Sequence, residues 1–182
     1  MNRKLSTIFM VVFVALVFVE CDGDKKKNNK QQSLSTMEES KGDSTMYGVC
    51  GDNTGMHVLE LITVQGDTLS YVFDVEDGAT VKGGILAGDR LAVVGYKNAD
   101  GENEATEVLN LTTLMGKWRS IDKQFELMED GTVLSGVKEE SQPWTAWKVY
   151  NGKLLLNKDT FSVNALGADS LYLENAHGIF TF

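Results

Sequence analysis

From Tyr47 to Phe182 apolar side chains recur at every second position in short runs, and glycine or an Asx–Gly pair closes most of the runs. No long stretch of this region keeps the 3.6-residue spacing of a buried helix face, so the pattern predicts many short strands joined by tight turns. Leu69, Tyr71, Phe73 and Val75 alternate with Thr68, Ser70 and Asp74, giving one apolar and one mostly polar face. Asp130-Gly131 and Asn151-Gly152 sit between apolar runs, the strongest short-range hairpin signal. Eighteen glycines and a single proline, Pro143, fit the same class.

The fold class is therefore all-β, in two series. Residues 47–110 predict about five strands, His57–Val64, Val81–Ala87 and Arg90–Lys97 among them, the size of a small OB-like or SH3-like barrel. Asn110–Met115 reads as a short link of one helical turn. Residues 111–182 predict eight more strands, ending inside the last one. A single merged barrel over 47–182 satisfies the same pattern.

Ahead of these lie two segments of different character. Arg3 and Lys4 precede an apolar run, Leu5–Val19, that is shorter than the roughly 20 residues a spanning helix takes. Cys21 follows, and then the polar run Asp22-Gly23-Asp24-Lys25-Lys26-Lys27. The arrangement resembles a bacterial lipoprotein signal, residues 1–20, with Cys21 as the lipid attachment site; Glu20 stands where a small residue is usual. An ordinary secretory signal or an uncleaved anchor are the alternatives. Residues 21–46 hold few apolar side chains and predict a disordered tether. The implied address is the cell envelope, the chain exported and held to a membrane by its lipid.

Net charge is −9, and residues 47–110 concentrate it, with Lys82, Arg90 and Lys97 against eleven acidic side chains. Such a surface repels phosphate backbones, so nucleic-acid binding is not expected. Catalysis is not expected either. The two histidines, His57 and His177, fall in no recognisable triad, and the chain has no Gly-x-Ser-x-Gly, His-Glu-x-x-His, Cys-x-x-Cys or phosphate loop. Aligned on Gly101, the loop from Asn98 to Glu107 places Asn98, Asp100 and Glu107 at calcium-ligand positions, but Tyr96 stands at the first position and the flanks read as strands. No metal and no cofactor are expected.

The second series also carries Leu114-Met115-Gly116-Lys117-Trp118, Phe125-Glu126-Leu127 with Glu129-Asp130-Gly131-Thr132, Trp147 ahead of Asn151-Gly152-Lys153-Leu154-Leu155-Leu156, and Leu166-Gly167-Ala168-Asp169-Ser170-Leu171-Tyr172-Leu173. In order and spacing these segments resemble a family of lipocalin-like domains in lipoproteins of Bacteroides-type bacteria, whose hallmark is the pair of tryptophans, here Trp118 and Trp147. The resemblance implies an antiparallel β-barrel or meander and an envelope location. It implies no substrate, because that family has no defined activity. True lipocalins are about twice as long and place a late arginine against the first tryptophan; here the last arginine is Arg119.

The leading functional expectation is non-catalytic binding of a small apolar or amphipathic ligand, with Trp144, Trp147, Phe125, Tyr150 and Tyr172 as candidate contacts near a barrel mouth. Trp118 is the expected core tryptophan and Trp144, beside Pro143, the expected exposed one. The alternative is a structural lipoprotein that binds an envelope protein and no small molecule. A ligand binder predicts an open apolar cavity; an interaction module predicts a filled core and an exposed apolar patch.

Overall fold

The computed structural model describes residues 42–73, 80–137 and 140–182, and these form an all-β protein with one short helix. Cys21, the signal segment and most of the predicted tether lie outside the described residues.

Six strands make the first sheet: β1 (Met46–Cys50), β2 (Val58–Thr63), β3 (Thr68–Val72), β4 (Thr80–Lys82), β5 (Arg90–Lys97) and β6 (Asn103–Asn110). Their order is β3-β2-β1-β5-β6-β4, and a further parallel pairing of β3 with β6, through Tyr71↔Asn103 and Val72↔Glu104, joins the sheet to itself as a five-strand ring. The interior holds Leu59, Leu61, Leu91, Val93 and Val108, all fully buried.

The strand expected over Val81–Ala87 stops at Lys82. Gly83 and Gly84 take φ of +88° and +74°, values that turn the chain out of a ladder. The buried Asn110 amide fixes that turn, donating to the carbonyls of Gly83 (3.3 Å) and Gly84 (3.0 Å) and to Asp89 (2.7 Å). Its oxygen accepts the Thr113 N–H and so caps helix α1 (Leu111–Leu114), the predicted helical turn.

Eight strands follow: β7 (Gly116–Arg119), β8 (Gln124–Leu127), β9 (Val133–Ser135), β10 (Trp147–Tyr150), β11 (Lys153–Leu156), β12 (Asp159–Leu166), β13 (Leu171–Asn175) and β14 (Gly178–Thr181). They pair antiparallel in chain order within two sheets, β7-β8-β9 and β10 to β14. A Thr132↔Ala146 bridge links the two, with the Val133 and Trp147 amides donating to Thr145 (2.9 Å) and Gly131 (2.7 Å). The Asn151-Gly152 hairpin forms as read, with φ of +48° and +74°. Among the described residues no ladder pairs β14 with β7, so the meander has an open seam.

The two series share a core. Strands alternate faces, so β5 sends Leu91 and Val93 into the ring and Ala92 out of it; β6 does the same with Val108 and Leu109. Ala92, Leu109 and Leu111 thereby join Leu114, Trp118, Leu154 and Phe161 in the second core. The end of the segment read as tether is also ordered: Ser44 donates its N–H and hydroxyl to Asn151 (2.7 Å each), and Thr45 is buried.

Candidate functional site: an aromatic chain and an open seam

The interior of the second half is filled by rings. Phe182, Phe125, Trp144, Phe161 and Phe180 stand edge-to-face in succession, with centroids 4.9, 5.2, 5.6 and 5.6 Å apart. Edge-to-face contact places the positive ring edge on the negative face of the next, so each pair adds to the area it buries. Trp144 is central and only 8% exposed, contrary to its expected role as the exposed contact. It precedes β10 rather than lying in it, which frees it from strand alternation and lets the chain turn the indole inward. Its Nε1–H donates to Asp159 at 3.3 Å.

The other candidates do not converge. Phe125 is buried in the same chain of rings. Trp147 is half-buried, its Nε1–H spent on the Met128 carbonyl at 2.7 Å. Tyr150, at the far end of β10, has the Lys148 ammonium 5.3 Å from its ring centre. Tyr172 is exposed on the outer face of β13. Trp118 is the core residue expected, its Nε1–H donating to Leu114 at 2.8 Å. The Asn98 loop is closed on itself: the Asn98 side-chain oxygen accepts the N–H groups of Asp100 (3.1 Å) and Glu102 (2.9 Å). His57 and His177 are both exposed.

The open space lies instead at the seam. A cleft of about 700 Å³ runs between the β7–β8 connection, Arg119 to Lys123, and β14 with Phe182. A smaller cleft of about 310 Å³ continues past Phe180 and Lys123 to Glu140, Asp159, Asn175 and His177. Ile121 is fully exposed at the tip of its turn and Ile179 is 65% exposed on β14. The sequence carried one sign of this site, an isoleucine in the polar turn Ser120–Lys123, where side chains are usually polar.

Lys123 stands where the clefts meet. Its ammonium lies 3.9 Å from the centre of the Trp144 ring and pairs with Glu140, which also accepts the Ser135 hydroxyl at 2.6 Å. Burial pushes the Glu140 carboxyl up, but the hydrogen bonds from Lys123 and Ser135 outweigh it and hold the carboxyl below its ordinary value. A carboxylate whose pKa falls on folding stabilises the fold above its unfolded pKa and stops doing so as pH drops through the folded one. Lys123→Met should therefore lower stability by about 1 kcal/mol at pH 7. In urea titrations the gap to the parent should shrink below about pH 4.

No protein-family model matches the chain, and no solved structure matches it. An uncharacterized protein of Archaeoglobus fulgidus is 28% identical over 86 residues, which cover 43% of this chain and 44% of that protein. The chain thus spans less than half the length of this relative.

Proposed function

We propose that this chain is a lipid-anchored, non-catalytic envelope protein that engages a protein partner through the seam beside β14. The observation that carries the reading is the pairing of a ring-filled interior with exposed apolar side chains, Ile121 and Ile179, on the two walls of the cleft. Burying such side chains against a partner releases ordered water, and exposed apolar contact surface is what monomers otherwise keep small. A small apolar or amphipathic ligand is the second reading, favoured by the cleft volume, which falls in the usual ligand range.

A five-strand ring closed by a parallel pair supports the OB-like choice for residues 47–110. An eight-strand antiparallel meander supports the lipocalin-like reading of residues 111–182, with the barrel left open.

The test is photocrosslinking in the native host, with a benzophenone amino acid placed at Ile121 or Ile179 of the full chain and, as control, at the exposed Leu86. The expected result is a discrete protein adduct at the first two positions and none at the third. A chain that instead carries a small dissociable mass in native mass spectrometry, and gives no adduct, would overturn the partner reading in favour of the ligand.

A further inference from the structure

The backbone of β14 has a free side, and the register says which atoms are on it. In an antiparallel ladder, pairs that exchange both hydrogen bonds alternate with pairs that exchange none. Leu171 and Phe182 exchange both, at 3.0 and 2.9 Å. Counting back through the ladder, Leu173↔Phe180 and Asn175↔Gly178 do the same. Ile179 and Thr181, opposite Glu174 and Tyr172, therefore aim their N–H and C=O groups away from β13. Among the described residues neither backbone has another partner.

Sheet edges of this kind are normally protected by charge, proline, bulges or a covering loop. β14 is short, but its residues, Gly178-Ile179-Phe180-Thr181, carry no charge and no proline, its ladder with β13 has no bulge, and among the described residues no backbone pairs with its outer side. The cleft lies alongside it, with Ile121 on the opposite wall. The charged side chains on the wall of the larger cleft are Arg119, Asp122 and Lys123, the last at its junction with the smaller cleft. In the larger cleft Arg119 and Asp122 offset each other. In the smaller, Glu140, already paired with Lys123, and Asp159 stand near the turn that begins β14, together with His177. With the chain at −9 overall, that end favours a cation.

We infer that the partner is an extended peptide segment that adds to β14 as a further strand, with an apolar middle and a basic residue at the Glu140–Asp159 end. The inference rests on the partner reading above. Main-chain bonds to Ile179 and Thr181 would supply affinity, and the Ile121–Ile179 walls and the acidic end would supply selectivity.

The test measures amide exchange and affinity by NMR on the full chain, with capped peptides as probes. The peptide KTVTVTV should slow exchange at Ile179 and Thr181. Its alternately N-methylated form, which cannot complete a ladder, and Ile179→Pro, which removes one outward donor, should each weaken binding by about tenfold. ETVTVTV should bind more weakly than KTVTVTV, and the difference should fade in high salt. The N-methylated probe leaves the protein untouched, so its result stands even if Ile179→Pro unfolds. Equal binding of the methylated and parent peptides would overturn strand addition while leaving a peptide partner in place. Binding of dodecanoate or a neutral dodecyl detergent, with no response to any peptide, would overturn the partner reading as well. Equal binding of KTVTVTV and ETVTVTV would overturn the acidic-end assignment.

Discussion

Replacing Phe161 by alanine should destabilise the protein by about 3–5 kcal/mol, the range for losing a buried ring and leaving the space behind. Phe161 is 1% exposed and bears edge-to-face on Trp144 on one side and Phe180 on the other. It pairs with Leu154 across β11 and β12, two strands whose inward side chains are otherwise leucine and valine. Removing it interrupts the chain of rings at its second-last link. The measurement is thermal unfolding followed by tryptophan fluorescence, with a midpoint lowered on the order of 10 °C. Native-state emission should change too, because Trp144 loses a ring partner. Tyr172→Ala, at an exposed site on the neighbouring strand, is the control and should cost under about 1 kcal/mol.

The second large effect is expected at a residue with no side chain. Gly48 lies in β1, between β2 and β5, where Thr63 and Leu91 are its partners. A methyl group there would land on the carbonyl oxygen of Ile62, and its next neighbour is the Leu61 side chain. The obstacle is backbone already fixed in a ladder, so relief requires β1 and β2 to separate. Gly48→Ala should cost about 1–3 kcal/mol, near the upper end because strand pairing and overpacking are both affected. Gly55→Ala makes the contrast: nothing lies within 4 Å of its added carbon and its backbone is ordinary, so urea midpoints should leave it close to the parent.

Much of the architecture was legible because strand periodicity and turn chemistry are local. Alternation placed Leu69, Tyr71 and Phe73 on one apolar face; Tyr71 and Phe73 are buried and Leu69 packs against the same core. Asn151-Gly152 and Asn110 acted through neighbouring atoms, a type of signal one sequence carries in full. The Val81–Ala87 run misled because its end depends on Asn110, a residue distant in the chain whose amide gathers the Gly83 and Gly84 carbonyls. Trp144 misled for a related reason. Its loop is polar, yet the indole is drawn inward by rings contributed from β8 and β12.

The site was least legible of all. Ile121 and Ile179 are 58 positions apart, and neither is unusual until the β7–β8 turn and β14 come to lie on opposite walls of one cleft. The strands, the hairpins, the acidic balance and the class of fold follow from the sequence, because each depends on neighbours within a few residues. Which edge stays unpaired, that Trp144 is enclosed beside Trp118 and where the apolar walls meet came only with the tertiary structure. Those outcomes depend on how the fourteen strands among the described residues pack against one another, and that is settled by contacts between residues remote in sequence.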